Sequence, residues 1–163
     1  FAGRISYEKG VADLPEILQQ VQQEHPNIKV VSVGSGPAEA ELRQELPNAQ
    51  FWGWVNREQL PELYASADLL LLPSKFDTFS CVVLEAMSCG LPVVAYNTKG
   101  PKDIIEHGVS GLLANNKTEM AEQIRNYLRS GTMSQRMKKE AVVRAQTYNS
   151  ERIVNEMLEN LGL

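Results

Sequence analysis

The chain has 163 residues, 43% of them apolar and 22% charged, which fits one globular domain with a sizeable core. A net charge of −4 without any Lys/Arg block excludes a nucleic-acid partner, so an anionic ligand would have to be held by local devices such as helix ends and a few placed cations. Two histidines without metal-ligand spacing, no apolar run of membrane-spanning length and no signal peptide narrow the classes further.

The numbering begins at Phe1, and residues 1–5 read as the end of a strand, so the chain is expected to start within a longer polypeptide. A turn over 6–10 leads to a helix over about 11–24. There Val11, Leu14, Ile17, Leu18 and Val21 recur at the spacing of one buried face. Pro26 and Asn27 stop it, and residues 28–34 form a β-branched strand. Gly34-Ser35-Gly36-Pro37 ends that strand and opens a second helix, with Pro37 at its first position. Residues 50–55 are a third strand. Asn56, with Gln59 three positions on, predicts a capping box for a short helix. Residues 68–74, with four consecutive leucines, read as a strand buried on both faces.

The next helix ends at Gly90, with Pro92 as a stop. Residues 92–96 are a fifth strand, 100–106 a helical turn and 111–114 a sixth strand. Asn116 with Glu119 caps a helix to about Leu128, and 133–161 read as two helices broken near 148–150. Cys81 and Cys89 fall eight positions apart on one helix, too far to bridge, and are expected to be reduced. Alternating strands and helices predict an α/β fold: a Rossmann-like, doubly wound parallel sheet of about six strands in a single domain over 1–163, with 133–163 a helical tail. Ligands bind beyond the carboxyl ends of such strands, which places 3–4, 34–36, 74–80 and 97–102 along one rim.

Asp77 and Glu85 bracket the junction where a buried strand gives way to a helix. Solvated acids near a helix start are one reading. The other rests on the apolar company of Glu85, since a buried carboxylate needs partners and two adjacent ribose hydroxyls would serve. Arg4 at a strand end and Lys9 before Gly10 can converge on one anion or stand as separate surface cations. Gly34-Ser35-Gly36 is not a dinucleotide fingerprint, because Glu39 stands where the third glycine belongs and would repel a pyrophosphate. Lys75, Lys99 and Lys102 read as solvated rim lysines, and the aspartates form no D-x-D, so no metal-chelated site is indicated.

One ordered set of motifs stands out. It comprises Phe1-Ala2-Gly3-Arg4, Glu8-Lys9-Gly10, Val33-Gly34-Ser35-Gly36-Pro37, Gly53-Trp54-Val55, Pro73-Ser74, Asp77-Thr78-Phe79-Ser80, Leu84-Glu85-Ala86-Met87-Ser88-Cys89-Gly90-Leu91-Pro92 and Gly108-Val109-Ser110-Gly111. Over nearly the whole chain to about Leu128 it resembles the C-terminal half of the retaining GT-B glycosyltransferases of group 1 (the GT4 type).

The resemblance implies one of two Rossmann-like domains, the one that holds a nucleoside-diphosphate sugar, with the acceptor domain upstream. It implies a metal-independent transfer to an acceptor hydroxyl of a glycan or lipid-linked sugar, without cofactor. The implied setting is bacterial polysaccharide or glycolipid synthesis in the cytoplasm, with the upstream domain able to place the protein at the inner membrane face. By matching positions, Arg4 and Lys9 take the donor phosphates and Asp77 the donor sugar. Glu85, the second acid of the E-x7-E motif, takes the ribose. Thr78, Phe79 and Ser80, with Cys81 next in line, offer N–H groups or hydroxyls, Gly3, Gly34 and Gly36 line the phosphate groove, and the base rests near Trp54 and Val55. Two departures bear on sugar choice: Asp77 stands where glutamate is usual, and Thr78 and Ser80 where glycines are frequent. A nucleotide-sugar 2-epimerase of the same architecture and a non-catalytic nucleotide-binding module are the alternative readings.

Overall fold

The structure is a computed structural model that describes residues 1–77 and 80–148. Five strands, β1 (Val31–Val33), β2 (Gln50–Gly53), β3 (Leu70–Leu72), β4 (Val93–Tyr96) and β5 (Leu112–Ala114), alternate with seven α-helices. The three strand pairings are parallel. One sheet has the order β1-β2, the other β3-β4-β5, with Leu70 beside Val93 and Val94 beside Leu112. The expected first strand is present only as a short ladder along β1. Gly3 N–H donates to Val33 O at 2.9 Å, Val33 N–H to Phe1 O at 2.9 Å and Ile5 N–H to Ser35 O at 3.0 Å.

Strand β4 explains the layering. All four of its side chains are buried, and with a side-chain period of two they serve both faces. Val93 and Ala95 join a cluster with Leu70, Leu72, Val83, Ala86 and Met87. On that side pack α3 (Leu60–Ser66), α4 (Cys81–Ser88), α5 (Pro101–Ile104) and α7 (Gly131–Gln146). Val94 and Tyr96 join Ile17, Val21, Met120 and Ile124 on the other face, under α1 (Leu14–Gln22) and α6 (Lys117–Arg129). The sheet is therefore wound on both sides, as its sequence pattern predicts. Each large side chain so buried contributes roughly 1.5–3 kcal/mol.

Local signals set several boundaries. Leu91 N–H donates to Ala86 O and Gly90 N–H to Met87 O, both at 3.0 Å, which is a Schellman stop for α4 at the predicted glycine. Asn116 caps α6 by accepting from Glu119 N–H at 2.9 Å. Other expectations are corrected. Pro37 does not open the second helix, because Ala38 N–H is bonded to Ile5 O at 3.1 Å and α2 (Glu39–Glu45) begins after it. The Asn56 side chain caps nothing; Arg57–Gln59 forms a 3-10 turn ahead of α3. The strand foreseen over 28–34 is regular only at Val31–Val33, although Val30 O still accepts Gln50 N–H at 2.9 Å and Gly34 N–H donates to Gly53 O at 2.7 Å. An apolar cavity of about 790 Å³ lies along it, lined by Ile28, Val30, Val31 and Leu71 among others. The second tail helix lies outside the described residues.

Gly10 ties the first crossover to the carboxyl end of β3. Its φ is 71°, and a β-carbon there would stand 1.7 Å from Pro73 O. Gly10→Ala should therefore cost at least ~2 kcal/mol in chemical denaturation. Gly53→Ala, at φ 65° with open space around it, should cost only ~1 kcal/mol of backbone strain. Equal losses would mean that the contact with Pro73 yields readily.

Candidate functional site

The carboxyl rim gathers most of the residues singled out from the sequence. Gly34 follows β1 at φ 116°, and a β-carbon there would meet Gly3 O at 2.0 Å, so the Gly3-Arg4 and Gly34-Ser35-Gly36 segments press backbone against backbone. Arg4 is exposed at this edge and forms no ion pair or hydrogen bond with other described residues. Trp54, 84% exposed, and the half-buried Val55 follow β2 at the same rim. Cys81 is an exposed free thiol at the first position of α4, and Cys89 is likewise unbridged. Thr78 and Phe79 lie outside the described residues.

Lys9 and Asp77 meet across the rim, Nζ to Oδ2 at 3.4 Å. The sequence motifs imply separate roles for the two, cation for phosphate and acid for sugar; the fold also makes them mutual partners. Ser80, which precedes α4, is buried, yet its hydroxyl has no hydrogen-bond partner among the described residues. Its carbonyl accepts Val83 N–H at 2.9 Å and Leu84 N–H at 3.3 Å, so the helix leaves its first N–H groups and its positive dipole end at the rim. Glu85 lies on α4 and accepts from the Tyr64 hydroxyl at 3.4 Å. Burial, with the charge of Glu85 second, raises the Cys89 thiol above its usual value.

Sequence reasoning missed a second layer beneath the loop that carries Asp77. Lys75, read as a solvated lysine, pairs with Asp13 at 2.9 Å, and Tyr96 donates to the same Asp13 Oδ2 at 2.8 Å. Thr98 Oγ1 donates to Ser74 O at 3.3 Å, which binds the 97–102 segment to that loop. Burial alone would raise the Asp13 carboxyl, but the hydrogen bonds from Lys75 and Tyr96 and the charges of Lys75 and Lys117 outweigh it and hold the carboxyl below its usual range. The one available signal was Asp13 itself, an acid beside the apolar stripe of the first helix. His107 has a structural part: its Nδ1 accepts Leu113 N–H at 3.0 Å.

Parallel sheets flanked by helices, with cations, acids and a free helix end gathered at one rim, define a Rossmann-like domain. The chain belongs to the family "Glycosyl transferases group 1", which it matches over residues 1–144. It is 38% identical over 113 residues to a GDP-mannose-dependent alpha-mannosyltransferase of Corynebacterium glutamicum, covering 69% of this chain and 26% of that protein. It is also 38% identical over 118 residues to the sulfoquinovosyl transferase SQD2 of Arabidopsis thaliana, covering 69% and 22%. Its fold superposes on Anabaena HepE, solved in complex with UDP, with a TM-score of 0.84 and 27% identity over 98% of this chain and 47% of that one. The chain thus spans about a fifth to a half of the length of these relatives. The match bears out the expected family and the GT-B half-fold.

Because the Asp13 carboxylate is favoured in the folded state, its contribution to stability is complete above the ordinary aspartate value of 3.8 and is lost as pH falls below it. Asp13→Asn should lose on the order of 1 kcal/mol near pH 7 and show a shallower stability loss between about pH 4 and pH 2 than the parent. Denaturation midpoints across that range check this; parallel curves would remove Asp13 from the acid response.

Proposed function

We propose that this chain is the donor-binding half of a retaining glycosyltransferase. It would move a sugar from a nucleoside diphosphate to an acceptor hydroxyl in polysaccharide or glycolipid synthesis. The observation that carries the reading is the Lys9–Asp77 pair set beside the start of α4, with Glu85 further along that helix. It puts one cation, one sugar-sized acid and a helix dipole where a β-strand ends. Supporting it, the HepE neighbour was also solved with UDP-glucose, at 26% identity and a TM-score of 0.82.

In this reading Arg4 and Lys9 receive the pyrophosphate, and the α4 N–H groups take part of its charge. The bond between anomeric carbon and phosphate oxygen breaks as the acceptor oxygen bonds to that carbon. Negative charge grows on the leaving diphosphate, where two cations and a dipole already stand. Such fixed charges can stabilise the departing group without a divalent metal, and no cofactor is invoked. Asp77 orients the sugar by accepting from its hydroxyls, and Glu85 accepts from the ribose. The exposed Trp54 at the end of β2 offers a flat face near the base. Binding of a phosphate to Lys9 competes with Asp77, so donor and ion pair exchange partners when the sugar arrives. The acceptor would come from an upstream domain of the same polypeptide, whose closure excludes water from the reacting atoms.

Calorimetric titration with UDP, GDP and ADP tests the donor site, and folded protein that binds none of them would end this reading. Arg4→Ala should weaken the bound nucleoside diphosphate about tenfold or more while leaving the matching nucleoside nearly unchanged. Equal losses would take Arg4 off the phosphates.

A further inference from the structure

Glu85 has one hydrogen-bonding partner among the described residues, and it comes from another helix. Tyr64 on α3 donates its hydroxyl to Glu85 Oε2 at 3.4 Å. The ring is 6% exposed and packs in the apolar cluster with Ala2, Leu70, Val83 and Ala86. Nothing else among the described residues satisfies that hydroxyl, so the core holds the phenol in place and the phenol faces the acid.

The chemistry of the partner matters. Burial, followed by the charge and hydrogen bond of Glu85, holds the Tyr64 phenol well above its usual range, so it remains a neutral donor. A lysine in its place would cancel the carboxylate charge, as Lys9 does for Asp77. A phenol engages one oxygen and leaves the charge on the group. Oε1 has no hydrogen bond to any described residue. At 3.4 Å the bond is long for a charge-assisted contact, so it biases the orientation of the carboxylate while screening little of its charge.

We propose that Tyr64 is a positioning residue for nucleotide recognition: it fixes Oε2 of Glu85 so that Oε1 is presented to the adjacent hydroxyls of the donor ribose. This rests on the reading that Glu85 takes the ribose. Tyr64 touches no part of the donor itself and acts only through the acid. The consequence is a discrimination between ribose and its deoxy forms that depends on a side chain outside the binding surface.

The experiment titrates the chain with UDP and 2′,3′-dideoxy-UDP, with the GDP and ADP pairs in parallel, in the parent, Tyr64→Phe, Glu85→Gln and the double variant. The parent should prefer the ribonucleotide at least tenfold. Tyr64→Phe keeps the ring and its packing, and should cut that preference about fivefold with dideoxynucleotide affinity unchanged. In the Glu85→Gln background, removing the hydroxyl should change neither affinity. A Tyr64→Phe protein that binds both nucleotides more weakly by the same factor would make Tyr64 a core residue and overturn the proposal, as would an unchanged preference. Equal affinity of the parent for ribo- and dideoxynucleotide would instead overturn the ribose assignment of Glu85, and the role of Tyr64 would fall with it.

Discussion

The close approach of Gly10 to the Pro73 carbonyl is the contact on which the site depends. A β-carbon at Gly10 would stand 1.7 Å from that oxygen, so only a glycine lets the first crossover lie against the end of β3. Lys9 is the preceding residue and Asp77 follows Pro73 by one turn of loop. Their 3.4 Å meeting is thus a product of backbone proximity between segments far apart in the chain. Ser74, buried between them, donates to Phe76 O at 3.0 Å and faces Glu8 O at 3.5 Å, which closes the same seam. A side chain at position 10 would open the rim before it touched any polar group of the site.

With a net charge of −4, the protein has no long-range field to draw in an anion, and attraction must be local. The Lys9–Asp77 pair sets the scale. Lys9 retains 35% of its side-chain exposure, so the pair is worth roughly 0–1 kcal/mol, far less than two cations and a helix end can offer a pyrophosphate. The ion pair therefore orders both side chains without competing seriously with a donor. Asp13 differs in its number of donors, because its carboxylate holds two, at 2.8 and 2.9 Å, against one for Asp77. Through Lys75 and Tyr96 it ties the loop to the end of β4.

What the residues revealed in advance follows the range of the forces involved. The leucines of β3, the Gly90 stop and the Asn116 cap are local rules, readable within a few positions, and the structure keeps all three. Pro37 and Asn56 obey local rules too, yet tertiary contacts override them: Ile5 O claims the Ala38 N–H, and a 3-10 turn displaces the expected cap. The Tyr96–Asp13 bond spans 83 positions and the Tyr64–Glu85 bond 21, with no pattern in the sequence to announce either. The family motifs located Asp77 and Glu85, and only the fold could say who stands beside them.

That difference in company separates two acids that the motif treats as a pair. Asp77 faces a lysine, so its charge is balanced in the protein by a weak and partly exposed pair. Glu85 faces a neutral phenol anchored in the core, so no cation among the described residues pairs with it and one oxygen stays open. A ribose diol, neutral and rigid, suits a fixed carboxylate that keeps its charge. Under the proposed function, a sugar arriving with its pyrophosphate would meet an acid whose lysine that pyrophosphate also attracts.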